Sequence, residues 1–122
     1  MGALERTGLL SDANTKAGSL PLLKRKRLEL ARALSTEPRL LLLDEIAGGL
    51  VEAEVHELVE TIKGLHSDGI TIIWIEHIVH ALLAVVDRIV AINFGENLAE
   101  GDPEEVMASP EVQEIYMGVA PE

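Results

Sequence analysis

The sequence predicts an α/β fold with a mainly parallel sheet flanked by helices, and three observations predict it. Apolar runs of strand length occur at 39–44, 70–75 and 88–93. The stretch between the first two repeats its apolar residues at helical spacing, and a shorter helical stretch separates the second from the third. Strand, helix, strand, helix, strand is the order of βαβ units, whose strands run parallel.

The elements follow in order. Residues 3–10 predict a short helix, and the polar stretch Ser11, Asp12, Ala13, Asn14, Thr15 ends it. Ser19 stands as a candidate cap and Pro21 falls in the first turn of a second helix. That helix runs to about Leu34, with Leu23, Leu30, Ala31 and Leu34 on one face, and Pro38 closes it. Leu40, Leu41, Leu42, Leu43 and Asp44 then form an unbroken run of the kind that suits a strand buried on both faces.

Residues 52–66 give the clearest helix: Val55, Leu58, Val59, Ile62 and Leu65 share a face, and Glu52, Glu54, Glu57, Glu60 and Lys63 cover the other. Asp68 and Gly69 stop it. The β-branched run 70–75 is a second buried strand. A helix is expected at about 78–86, and 88–93 is a third strand. Gly95, Glu96 and Asn97 are expected to turn it into a short hairpin partner at 98–100. Two small helices, 103–108 and 110–116, each open with a proline.

Composition narrows the function classes. The 122 residues suffice for one domain or a piece of one. Trp74, Tyr116 and Phe94 are the aromatic residues, so the core is aliphatic. Without cysteine there is no disulfide framework and no thiolate metal site. No apolar run approaches the roughly 20 residues of a membrane span, and the N-terminus lacks the pattern of a secretory signal. The chain is expected to be soluble by itself.

The net charge of −11 opposes nucleic-acid binding. Residues 1–39 nonetheless hold eight Lys and Arg against four acids, while 40–122 hold two against seventeen. The cluster Lys24, Arg25, Lys26, Arg27 is the basic exception. Arg25 and Lys26 are expected to be solvated, and no nucleic-acid partner is expected. His56 and His66 read as ordinary surface residues.

Two acidic motifs carry the chemistry. Asp44 and Glu45 end the first apolar strand. An aspartate so placed can help hold Mg²⁺ beside phosphates, and the adjacent glutamate can orient or deprotonate water; it can equally cap the next turn. Glu76 and His77 directly follow the second strand, at the same sheet edge, where open α/β sheets bind ligands. A neutral imidazole there can bond a phosphate, or simply cap the following helix. His77 and His80 share a helical face, but no third ligand stands at suitable spacing for a metal.

In order and spacing, the series resembles the ABC ATPases. It runs Leu20, Pro21, Leu22, Leu23, Lys24, then Arg27, Leu28, Glu29, Leu30, Ala31, Arg32, Ala33, Leu34, then Pro38. Four leucines, Asp44 and Glu45 follow, then Gly49 and Leu50, then Ile75, Glu76 and His77. The closing stretches, GENLAEGDPEEV at 95–106 and SPEVQEIYMG at 109–118, resemble the hairpin and short tail of branched-chain amino-acid importer subunits.

The resemblance implies a partial P-loop NTPase fold in three parts. Residues 1–36 would be the end of a helical subdomain with the signature region, 37–102 the C-terminal half of the ATPase core, and 103–122 the importer-type tail. It implies Asp44 as the Walker B ligand of Mg²⁺, Glu45 as general base and His77 as switch histidine. Ala47, Gly48 and Gly49, with Leu50 and Val51, would form the D-loop crossing a dimer interface. Leu20, Pro21, Leu22, Leu23 and Lys24 occupy the signature position, which grips the γ-phosphate on the opposite subunit.

Two departures stand out. Pro21, Leu22 and Leu23 replace the usual Ser and Gly residues of the signature. Val51 replaces the terminal Asp or Asn of the D-loop, and Ile46 the proline that often follows the glutamate.

The resemblance further implies ATP and Mg²⁺ as cofactors. It implies a second ATP-binding subunit, identical or not, and transmembrane permease subunits as partners. The place would be the cytoplasmic side of the plasma (inner) membrane, held peripherally. An ABC ATPase also needs a Gly-x-x-x-x-Gly-Lys-Ser/Thr loop, and none occurs in the sequence. The chain is therefore expected to begin mid-domain and to be inactive as an ATPase by itself. A non-catalytic interaction module and a soluble ABC ATPase of another role are the competing readings; the tail speaks against the latter.

Overall fold

In this computed structural model, residues 1–116 and Gly118 are described. The tail motif at 109–118 is covered except at position 117; that position and 119–122 lie outside the described residues. Contacts divide the chain into two compact units, Met1–Val85 and Val86–Glu122.

The first unit opens with α1 (Gly2–Arg6), shorter than the expected helix, and two single 3-10 turns at Leu10–Asp12 and Ala17–Ser19. Then comes α2 (Leu22–Leu34), β1 (Leu40–Asp44), α3 (Glu52–Ser67), β2 (Thr71–Ile75) and α4 (Val79–Leu83). The expected cap at Ser19 is displaced: Ser19 sits in the preceding turn, and Pro21 itself is the N-cap of α2, without a side-chain hydrogen bond. Leu20 explains this, because a residue before proline avoids the helical region, and Leu20 is extended at φ −74°, ψ 139°. The last helix, α4, ends well short of residue 86.

The two strands pair in parallel, from Leu40 with Thr71 to Asp44 with Ile75. Packed together in the core are Leu23, Leu30 and Leu34 of α2, Leu41 and Leu43 of β1, and the predicted stripe Val55, Leu58, Val59, Ile62, Leu65 of α3. Burying each such side chain contributes about 1.5–3 kcal/mol. Arg27 bridges α2 to α3 by pairing with Glu57 at 3.3 Å.

The expectation of strands buried on both faces is corrected. Alternate residues of β1 are exposed: Leu42 at 68 % and Leu40 at 49 %. On β2, Ile73 and Ile75 are likewise bare, at 55 % and 61 %. An unbroken apolar run carries no alternation to mark one face as outward, so sequence alone assigns both to the interior. Among the described residues the helices cover one face only.

The second unit contains β3 (Ile89–Asn93), β4 (Glu96–Gly101), α5 (Pro103–Ala108) and α6 (Pro110–Tyr116). The third strand does not extend the parallel sheet among the described residues; β3 pairs antiparallel with β4. Its turn is Phe94 and Gly95, one residue earlier than expected, since Asn93 already faces Glu96. Both turn residues have positive φ, 47° and 77°, as a two-residue hairpin matching the strand twist requires. Ala91, Val106 and Val112 form this unit's small core. Asp102 caps α5 by accepting from the Glu104 and Glu105 amides.

Candidate functional site

The site lies where β1 and β2 end together. Parallel pairing brings Asp44 opposite Ile75, so the residues that follow each strand emerge at one edge. The Glu45 amide donates to the Ile75 carbonyl at 2.8 Å, prolonging the pairing by one bond. Glu45 itself adopts φ 48°, a left-handed conformation rare for a side-chain-bearing residue and found disproportionately at functional sites. Asp44 and Glu45 are both exposed.

After Glu45 the chain makes tight turns. The Gly48 amide donates to the Glu45 carbonyl at 3.3 Å, and the Leu50 amide to the Ala47 carbonyl at 3.4 Å. Ala47 is fully buried. Gly49, at φ 80°, approaches the start of α2 so closely that a Cβ would stand 3.1 Å from Leu22 Cδ2. The D-loop-like turn and the signature-like turn therefore touch within one chain.

His77 stands between two carboxylates. Its Nδ1 lies 3.3 Å from Glu76 Oε1 and 3.9 Å from Glu45 Oε1. The longer distance exceeds hydrogen-bond reach. The His77 and Glu45 side chains face solvent, at 69 % and 61 % exposure. That leaves them open to a ligand.

Glu76 is the reverse: its side chain is completely buried. Its Oε2 accepts from the Ala47 amide at 3.2 Å, and its Oε1 from the His77 amide at 3.0 Å and the Ile78 amide at 3.5 Å. Sequence reasoning noted Glu76 only as the neighbour of His77. The available signal was a carboxylate set directly after an apolar strand, where a buried acid must find donors.

The structure thus gathers Asp44, Glu45, Ala47 and His77 at one edge. The signature-position residues are placed differently. Leu20 and Leu23 are buried, Leu22 contacts the Gly49 turn, and Pro21 caps α2 without a side-chain hydrogen bond. Lys24 is engaged by Asp12, with Nζ–Oδ2 at 2.8 Å. Arg25 is exposed as expected, whereas Lys26 is half-buried. His80 pairs with Glu52 at 3.0 Å. Among the described residues no three His, Asp or Glu side chains cluster to hold a metal.

Comparisons with known proteins place the chain's sequence and fold. The family described as branched-chain amino acid ATP-binding cassette transporter matches residues 96–122. The high-affinity branched-chain amino acid transport ATP-binding protein LivG of Salmonella typhimurium is 43% identical over 118 residues, 96% of this chain and 46% of the relative. The corresponding protein BraF of Pseudomonas aeruginosa is 41% identical over the same shares.

Among solved structures, a nucleotide-free ATP-binding cassette from an ABC transporter superposes with a TM-score of 0.87 at 30% identity, over 97% of this chain and 48% of that one. The ADP conformation of a cassette gives the same TM-score at 31% identity, over 97% and 48%. The chain spans about half the length of the relatives it matches.

Proposed function

We propose that this chain, which belongs to the ATP-binding subunits of ABC transporters of the branched-chain amino-acid type, carries the water-activating side of an ATP site. The observation that supports this most directly is the approach of His77 Nδ1 to Glu45 Oε1, 3.9 Å, beside Asp44 at the shared end of the parallel strands.

Each residue has a part. The Asp44 carboxylate is a hard oxygen donor of the kind Mg²⁺ takes, one or two per site, alongside phosphate and water. Mg²⁺ bound there would neutralise charge on the phosphates. Glu45 orients a water and accepts its proton. His77 bridges Glu45 and the terminal phosphate. Ala47, Gly48 and Gly49 belong to a turn facing a second ATP-binding subunit.

The Leu20, Pro21, Leu22, Leu23, Lys24 region faces the phosphate held by that second subunit in this reading, and the backbone amides at the start of α2 would donate to it. The departures leave it with backbone donors, because Pro21 and Leu22 offer no hydroxyl and Lys24 is held by Asp12.

In this reading the phosphate-binding loop comes from polypeptide outside these residues. The assembled subunit energises import through permease subunits at the cytoplasmic face of the inner membrane, with branched-chain amino acids as cargo. The three-part division at residues 36 and 102 belongs to the same reading. A second reading, an interaction module without ATPase activity, draws on the Lys24–Asp12 pair and the missing hydroxyl.

Calorimetry and turnover separate the two. This chain with a polypeptide supplying a phosphate loop should hydrolyse Mg-ATP, and Glu45→Gln should bind ATP but not turn it over. Undiminished hydrolysis by Glu45→Gln would remove Glu45 from its role. No binding by the assembled protein would favour the second reading.

A further inference from the structure

One group at the site has no part in the proposed chemistry: the carboxylate of Glu76. It is completely buried beside two exposed reactive side chains. Burying a carboxylate is costly unless donors surround it, and here the donors come from two separate loops. Ala47 supplies one amide from the turn that follows Glu45; His77 and Ile78 supply the others from the turn that follows β2. Each carboxylate oxygen serves a different loop.

We infer that Glu76 is a positioning residue that ties the Glu45 loop to the His77 loop. The inference rests on the functional reading above and adds to it the means by which the two reactive groups keep their register. Two features support a role beyond packing. The side chain spans a junction where β-pairing has ended: the last bond between the strands is Glu45 amide to Ile75 carbonyl. Beyond it, the Glu76 carboxylate accepts from amides of both loops. Its Oε1 also faces His77 Nδ1 at 3.3 Å, so the same group that fixes the loop orients the ring.

The role makes the Ala47 turn and His77 one mechanical unit. Motion of the turn that bears Gly48 and Gly49 is then passed to His77 through one carboxylate.

The test compares Glu76→Ala and Glu76→Gln with the unaltered protein. Glutamine keeps the shape and one acceptor oxygen; alanine keeps neither. In the assembled ATPase, Glu76→Ala should lower kcat on the order of 100-fold, the scale of a small misplacement of reacting groups, with KM for Mg-ATP unchanged. Glu76→Gln should recover part of that loss. A group that only stabilises the fold would instead reduce the folded fraction and leave kcat per folded molecule intact, which thermal melts and active-site titration report.

Amide hydrogen exchange in this chain gives an arm independent of catalysis. The Ala47 and His77 amides should exchange faster together in Glu76→Ala. Unchanged exchange at both, or an unchanged kcat in Glu76→Ala, would overturn the assignment. If the unaltered assembly hydrolyses no ATP, the functional reading fails. The exchange arm then still decides whether Glu76 ties the loops.

Discussion

The Glu45 amide, one residue past the end of β1, donates at 2.8 Å to the carbonyl of Ile75, the last residue of β2. This bond converts strand pairing into site geometry. It holds the backbone of Glu45 against the residue that precedes Glu76 and His77, so two distant acidic motifs meet without a long loop. A parallel pair delivers this because both strands finish at the same edge.

The start of α3 is under-capped, which gives a first prediction. Val51 occupies the N-cap position in extended conformation, and its side chain has no oxygen; Glu54 alone reaches back, its Oε2 accepting from the Val51 amide at 3.0 Å. Val51→Asp should stabilise the chain by about 1 kcal/mol by supplying the missing acceptor. Urea unfolding reads it, and an unshifted midpoint would refute it.

Gly49 has a backbone requirement rather than a space requirement. The atom nearest an added Cβ is the mobile end of Leu22, at 3.1 Å, whereas φ is 80°. Gly49→Ala should therefore cost about 1–2 kcal/mol, and Gly49→Asn less, since asparagine tolerates that region. Equal stability of the alanine and glycine forms would contradict this.

The bare sheet face should make the isolated chain self-associate. Leu42 and Ile73 are register partners, 68 % and 55 % exposed, and adjacent apolar residues of this kind favour association. Leu42→Thr with Ile73→Thr keeps strand propensity and removes apolar surface. Sedimentation should show the double variant monomeric at concentrations where the parent associates; identical profiles would clear this face of the effect.

A pH effect is expected at the start of α6. Ser109 Oγ donates to Glu111 Oε2 at 2.7 Å, and this bond, with a backbone bond second, holds the Glu111 carboxyl below its ordinary value. A lowered folded-state pKa contributes stability above the ordinary carboxylate value, lost as pH falls through the lowered one. The effect is confined to acid. Ser109→Ala should return the Glu111 titration, followed by carbon NMR, toward the ordinary range.

Much of this was legible in the sequence, and particular residues show why. The α3 stripe of Val55, Leu58, Val59, Ile62 and Leu65 is buried as its spacing requires, because helical periodicity encodes a direction. The leucine run of β1 encodes none, so the exposure of Leu40 and Leu42 was invisible. Ser19 has the chemistry of a cap, but Pro21 holds Leu20 extended and so starts α2 two residues later. The hairpin is as expected, but its turn falls one residue earlier, because Phe94 is an unusual residue at positive φ. Motif order singles out Asp44, Glu45 and His77, and the fold brings Glu45 and His77 to one edge; Glu76 stands in the sequence only as the neighbour of His77. Its hydrogen bonds run to amides whose directions only the fold supplies.

The separation of β1 from β2 by a whole helix bears on how the site is acquired. A hairpin such as β3–β4, joined through two residues, can close in about 1–10 μs. Contacts between residues far apart in sequence form more slowly, and the partners Asp44 and Ile75 are separated by all of α3. During synthesis, Glu45 leaves the ribosome long before the strand it needs. The juxtaposition of acid and imidazole therefore comes into being only after His77 has emerged and β2 has found β1.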